Sequence, residues 1–150
     1  MHLRDFFTPG AIDFNLQATD KDSVLVELVR LLGVDQRAGE ALMRVLQRRE
    51  SLGSTGMGRG IAIPHCRSLV ANRLRLAYGY SKQGVEYQAL DGRPVHHFFL
   101  IVAPPLEISN QYLPVLGRIA QFAKEPDVPD RLAALTGPDE FFRLLEDKGV

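Results

Sequence analysis

The sequence lacks several features that would assign it to common classes of protein. It has one cysteine, Cys66, in 150 residues, which excludes an internal disulfide and a zinc site built on several thiolates. It has no excess of either charge, because 18 Lys and Arg balance 18 Asp and Glu. The net field therefore gives no attraction to nucleic acid or to an anionic membrane. We expect a protein of a reducing compartment whose partners are chosen by local surface patches.

Long apolar runs and linker-like segments are also missing. No stretch approaches the ~18 consecutive apolar residues of a membrane-spanning helix, and the start of the chain has no apolar core of a signal peptide. Glycine and proline are scattered, without a repeat or a low-complexity tract. These absences predict one cytoplasmic domain over residues 1–150, without membrane insertion.

The apolar spacing alternates between helical and strand periods. Asp20 and Asp35 each precede a segment with apolar residues at helical spacing, and further helical patterns lie near residues 113–123, 130–135 and 138–147. Residues 61–63 and 74–80 are typical of strands, and the unbroken apolar run 98–102 indicates a central strand covered on both faces. Helices and strands interspersed in this way predict an α/β fold.

The densest chemical signal is R-E-S-L-G-S-T-G-M-G-R-G-I-A-I-P-H-C at residues 49–66. Its glycines, Gly56 and Gly58 among them, allow backbone amides to converge on an anion, as in a phosphate-binding nest. Ser54 and Thr55 would add hydroxyl donors, and Arg49 a planar cation suited to phosphate. The glycine spacing fits neither the dinucleotide nor the Walker pattern, so the anion need not be a nucleotide. The alternative is a flexible turn between a helix and a strand.

His65 adds a nucleophile to this segment. Its unperturbed pKa of about 6.5 leaves the imidazole largely neutral, so that a ring nitrogen can attack phosphorus. A position at a strand end after Pro64 would face the crevice where α/β folds bind ligands. The alternative is a histidine packed for structural reasons, but the glycine segment and Arg49 favour the nucleophile. His96 and His97 would point to opposite faces of a strand and could not easily bind one metal ion together. We interpret them as structural or incidental and predict no metal site and no cofactor.

These motifs resemble the fructose/mannitol-type enzyme IIA domains of the phosphoenolpyruvate-dependent phosphotransferase system, including the nitrogen-related stand-alone forms. The resemblance rests on R-E-x-L-G-S-T-G-x-G-x-G-I-A-I-P-H at 49–65, on D-G-R-P-V at 91–95, and on the helix around Leu113. It implies a single domain with a mixed β-sheet flanked by helices, phosphorylation of His65, and Arg49 as a supporting cation. It also implies an HPr-like phosphohistidine carrier protein as donor, and an enzyme IIB, a regulated transporter or a kinase as the next partner.

Two residues depart from the family pattern. Tyr112 stands where family members usually carry a second histidine; a phenol can donate a hydrogen bond to a phosphoryl oxygen but cannot add a positive charge. Cys66 replaces the usual glycine after the active histidine, either as an inert buried side chain or as a redox-sensitive thiol. Three functions stay open: a phosphocarrier, a regulatory module whose contacts are switched by phosphorylation of His65, and an unrelated anion-binding domain.

Overall fold

A mixed β-sheet lies between two layers of helices in the computed structural model, which describes residues 1–106 and 110–150. After a 3₁₀ turn at Leu3–Phe6, the elements in chain order are β1 (Phe7–Asp13), α1 (Lys21–Arg30), α2 (Gln36–Ser51), β2 (Gly56–Gly58), β3 (Ile61–Ala62), β4 (His65–Arg67), β5 (Arg75–Val85), β6 (Val95–Ala103), α3 (Tyr112–Ala123), α4 (Val128–Ala133) and α5 (Pro138–Asp147). The predicted α/β fold with a mixed sheet is confirmed.

The sheet is organised around β6. Its order is β1-β5-β6-β3-β2, and β4 continues beyond β3 along the same side of β6. β3 and β4 run parallel to β6, whereas β5 runs antiparallel to it. Along β6, Phe99 and Ile101 pack towards α3–α5, while Phe98 and Leu100 pack towards α1 and α2. The expectation that this strand is covered on both faces is therefore confirmed.

Both N-terminal helices begin directly after an aspartate that caps them, and the cap predicted at Asp20 is confirmed. The carboxylate of Asp20 accepts a hydrogen bond from Ser23 N, and that of Asp35 accepts one from Ala38 N, each at 2.8 Å. The apolar stripes of α1 and α2 close over one face of the sheet. Because α2 ends at Ser51, Arg49 lies in its last turn, at the start of the glycine-rich segment.

The structure corrects the strand prediction around His65. The strand predicted over 61–63 ends at Ala62. The chain pairs with β6 again at His65, which is the first residue of a separate strand, β4. The amide of Ile63 donates to Thr55 O at 3.1 Å, away from β6, and Pro64 has no amide to donate. The ladder resumes through Pro64 O, which accepts from Ile101 N at 3.0 Å.

Candidate functional site

His65 is placed by its pairing with the central strand. It lies opposite Ile101 in the parallel ladder between β4 and β6. Successive strand residues point to opposite faces, and Cys66 packs in the apolar cluster of α1 and α2. His65 and Arg67 therefore point towards α3, and His65 remains partly exposed.

A backbone carbonyl fixes the tautomer of His65. Nδ1 lies 2.7 Å from Ile63 O, which can only accept, so Nδ1 carries the proton and donates it. Burial lowers the pKa of His65 and the positive charge of Arg49 adds to that effect, while the Ile63 carbonyl and Glu50 oppose it. The direction of this shift favours the neutral imidazole, in which Nε2 holds the lone pair.

A cavity of about 250 Å³ brings most of the predicted site residues together. Its lining consists of Arg49, Ser54, Thr55, Gly56, Met57, Ile63, His65, Leu90, Leu116 and Ala120. Size alone does not identify the site, because a groove of about 810 Å³ lies at residues 5–9 and 72–74. The smaller cavity is the one that combines a histidine with an arginine.

The hydroxyls and amides at the start of the glycine-rich segment bond within the protein. Ser54 Oγ donates to Tyr87 O at 2.8 Å and accepts from Gly56 N at 3.0 Å. Thr55 donates its amide to Glu50 Oε1 at 3.1 Å and its hydroxyl to Glu50 Oε2. These groups reach the wall of the cavity already paired, so a phosphoryl oxygen would have to exchange with their present partners. Glu50 was part of the motif but had no predicted role.

Two glycines of the segment are required by their surroundings. A side chain on Gly56 would place Cβ 2.7 Å from Ala89 Cβ, closer than such atoms approach. Gly58 has φ +94°, and a Cβ there would lie 3.3 Å from Asp91 Oδ2. Asp91 also accepts from Arg59 N at 3.0 Å. Gly58 is thus placed against Asp91, whereas Gly56 lies in the cavity wall.

Arg49 ties the last turn of α2 to the loop that follows the helix. Its Nη1 donates to Gly53 O at 2.8 Å, and the side chain is partly exposed at the cavity. The contact holds a planar cation beside His65, where the sequence predicted it.

Tyr112 lies beside His65 from the α3 side. The two ring centroids are 6.3 Å apart, and Tyr112 is 7% exposed. Burial raises the pKa of its phenol to about 12, so it stays protonated at neutral pH. The guanidinium carbon of Arg67 lies 4.3 Å from the centroid of the Tyr112 ring. Arg67 was not predicted, although its position two residues after His65 puts it on the same face of the strand.

The other reactive side chains have structural surroundings. Cys66 is buried, and burial raises the pKa of its thiol to about 12, as expected of an inert side chain. His96 donates from Nδ1 to Ser81 O and His97 Nδ1 bonds to Tyr78 OH, both at 2.8 Å. Both rings are thus hydrogen-bonded within the protein, which agrees with their interpretation as structural or incidental. Within residues 1–106 and 110–150, no three His, Cys, Asp or Glu side chains are grouped as around a metal ion.

The sequence of the chain is similar to those of known proteins. Residues 5–148 match the model of the family described as "Phosphoenolpyruvate-dependent sugar phosphotransferase system, EIIA 2". A nitrogen regulatory protein of Pseudomonas aeruginosa is 31% identical over 98% of this chain and 96% of its own length. The fructose-specific EIIABC component of Bacillus subtilis is also 31% identical over 97% of this chain, which spans 23% of that longer protein.

Solved structures show the same fold. The nitrogen regulatory protein IIA-Ntr of Neisseria meningitidis superposes with a TM-score of 0.85 at 25% identity, covering 94% of this chain and 97% of that one. The mannitol IIA of Escherichia coli has a TM-score of 0.73 at 21% identity, with 92% and 97% covered. In the part of the chain that the structure describes, no helix has the length and apolar character needed to cross a membrane.

Proposed function

The chain belongs to the EIIA 2 family of the phosphoenolpyruvate-dependent sugar phosphotransferase system, a family of phosphocarriers, and on that premise we propose that it carries the phosphoryl group on Nε2 of His65. One observation carries the assignment of the atom: the hydrogen bond from Nδ1 to Ile63 O leaves Nε2 as the basic nitrogen. Nε2 belongs to a histidine that lines the same cavity as Arg49.

The donor in this proposal is a phosphohistidine carrier protein of the HPr type. The Nε2 lone pair attacks phosphorus, and the P–N bond of the donor breaks as the new bond forms. The electron pair of the broken bond stays on the donor's ring nitrogen. The ring of His65 gains positive character during attack, and Ile63 O stabilises it by accepting from Nδ1. The transfer needs no bound cofactor.

Side chains around the cavity have separate roles in the proposal. Arg49 stabilises the equatorial oxygens of the transferring group, because a planar cation matches their charge and geometry. Tyr112 donates one hydrogen bond to a phosphoryl oxygen, from the side of His65 opposite the glycine-rich segment. Ser54, Thr55 and Gly56 form part of the phosphoryl-binding wall, whereas Gly58 shapes the loop beside Asp91. The Ser54 hydroxyl and both donors of Thr55 reach a phosphoryl oxygen only by exchanging their present partners.

Exposed leucines beside these residues support a protein as the donor. Leu90 lines the cavity and is 82% exposed. Leu52 is 82% exposed in the loop to which Arg49 is hydrogen-bonded, and Leu113 is 66% exposed next to Tyr112. Large apolar side chains grouped at a polar site are typical of a surface that binds another protein and excludes water.

The recipient is an enzyme IIB in sugar uptake, and the second candidate is a regulated transporter or kinase whose contact depends on the phosphorylation of His65. The closer superposition on a nitrogen regulatory protein than on a mannitol IIA favours keeping the second candidate. Proteins that co-purify with the unmodified and the phosphorylated forms distinguish the two. A sugar-specific IIB dominates in the first case, and a partner retained by one form only identifies the second.

Incubation with phosphoenolpyruvate, enzyme I and the carrier protein tests the proposal. We expect intact-mass spectrometry to find one added phosphoryl group, and none when the carrier is omitted. No addition with any of several bacterial carrier proteins would contradict the phosphocarrier assignment.

A further inference from the structure

A buried carboxylate lies directly behind the wall of the phosphoryl site. Glu50 follows Arg49 at the end of α2, and adjacent helical residues point about 100° apart. Arg49 faces the cavity, whereas the side chain of Glu50 turns inward and is only 4% exposed. Carboxylates are seldom buried unless they are paired and hydrogen-bonded, because desolvation of the charge is costly.

The partners of Glu50 link α1 to the cavity wall. Lys21, in the first turn of α1, lies 3.2 Å from Glu50 Oε1, and its side chain is 18% exposed. Thr55 donates twice to the same carboxylate, from its amide to Oε1 and from its hydroxyl to Oε2. Both donors of a residue that lines the His65 cavity are thus held by one carboxylate.

A tyrosine completes this group. Tyr87 OH lies 3.3 Å from Thr55 Oγ1, and Lys21 Nζ lies 4.5 Å from the centroid of the Tyr87 ring. The backbone carbonyl of Tyr87 accepts from Ser54 Oγ. Two neighbouring residues of the cavity wall, Ser54 and Thr55, are therefore fixed by the same set of contacts. We call Lys21, Glu50, Thr55 and Tyr87 the Glu50 cluster.

We propose that Glu50, with Lys21 as its counter-ion, is a positioning residue for phosphoryl transfer: it holds Thr55 and the adjoining loop in the geometry that His65 requires. The proposal rests on the assignment of His65 as the phosphoryl acceptor. Glu50 acts through Thr55 and does not touch the reacting atoms. Local geometry matters because small displacements of groups around a reacting centre cost much of the rate.

The decisive variant is Glu50→Gln, which keeps the size of the side chain and removes its charge. Thr55 then loses a charge-assisted acceptor, and Lys21 loses its counter-ion. We expect the maximal rate of phosphorylation at saturating carrier protein to fall by about 10- to 100-fold. The carrier concentration at half-maximal rate should stay within about twofold of the unsubstituted value, because the exposed docking leucines are untouched.

Lys21 provides a second variant that leaves the carboxylate in place. Lys21→Gln should lower the maximal rate in the same direction, whereas Lys21→Arg keeps a cation beside Glu50 and should restore most of it. The matched control is Glu40→Gln, which removes an exposed carboxylate from the same helix and should leave the rate unchanged. Thermal unfolding of each variant reports whether it is folded.

The outcomes separate positioning from mere stabilisation. If Glu50→Gln and Lys21→Gln lower the melting temperature but keep the maximal rate of the Glu40→Gln protein, the positioning role is overturned. If Glu50→Gln does not fold, the Lys21 pair decides alone: equal rates in Lys21→Gln and Lys21→Arg overturn the proposal. If the unsubstituted protein accepts no phosphoryl group, the phosphocarrier assignment fails instead.

Discussion

The hydroxyl of Tyr112 provides the sharpest test of the hydrogen bond that we propose it donates to the phosphoryl group. Tyr112→Phe removes one oxygen and keeps the ring. The centroid of that ring lies 6.3 Å from the centroid of the His65 ring and 4.3 Å from the guanidinium carbon of Arg67. Since burial holds the phenol pKa at about 12, the hydroxyl is a donor throughout the neutral range.

The expected magnitude follows from the loss of one neutral hydrogen bond. Such a bond contributes about 0.5–1.5 kcal/mol, which corresponds to a roughly 2- to 13-fold lower transfer rate if the bond forms in the transition state. Rapid-quench measurement of phosphorylation and of the lifetime of the phosphorylated form gives both effects. Tyr112→His should instead speed onward transfer to a partner IIB, because an imidazole can carry charge near neutral pH.

A matched tyrosine elsewhere controls for the substitution itself. Tyr80→Phe changes a partly buried ring that stacks on His97 and should leave transfer unchanged. If Tyr112→Phe, Tyr112→His, Tyr80→Phe and the unsubstituted protein all transfer at the same rate, Tyr112 only packs against the helix, and the reasoning about its hydroxyl is refuted.

Three further predictions concern charge and burial. Arg49→Ala should slow transfer about tenfold or more in single-turnover assays, whereas the exposed neighbour change Arg48→Ala should not; equal rates would remove Arg49 from the site. Because burial lowers the pKa of His97 from 6.5 to about 4, the unfolded chain binds more protons between these values. About 2–3 kcal/mol of unfolding free energy should therefore be lost as the pH falls from 6.5 to 4. Denaturant titrations of His97→Asn should not show this pH-dependent loss. Cys66 should resist alkylation at pH 8 in the folded protein and react fully in denaturant; rapid native labelling would contradict its burial.

Local signals made much of the fold predictable from the sequence. Asp20 and Asp35 mark helix starts because a capping carboxylate bonds amides only two or three residues ahead. The apolar run 98–102 indicates the central strand because a strand covered on both faces needs no polar residues. The glycine-rich segment and His65 were predicted together because they are adjacent in the chain.

Elements that depend on distant contacts were not predicted. β1 contains Pro9 and Gly10, which weaken any strand pattern, and it is held by pairing with β5, more than 60 residues later. The interruption of the strand at Pro64 depends on Ile63 N turning to Thr55 O.

In the candidate site, too, the features that depend on contacts between distant parts of the chain were not predictable from the sequence. The burial of Glu50 could not be read from its helical surroundings, because its counter-ion, Lys21, comes from another helix. Tyr112 was placed near His65 only as a hypothesis about how α3 packs, and the contact with Arg67 depends on the geometry of β4 and α3 together.

Location of the phosphoryl group within the modified protein tests the central claim most directly. After incubation with phosphoenolpyruvate, enzyme I and carrier protein, nuclear magnetic resonance of the ¹⁵N-labelled ring should assign the phosphoryl group to Nε2 of His65. The same treatment of His65→Ala should add no phosphoryl mass while the variant keeps its fold. Attachment at another residue, or undiminished uptake by His65→Ala, would contradict the account.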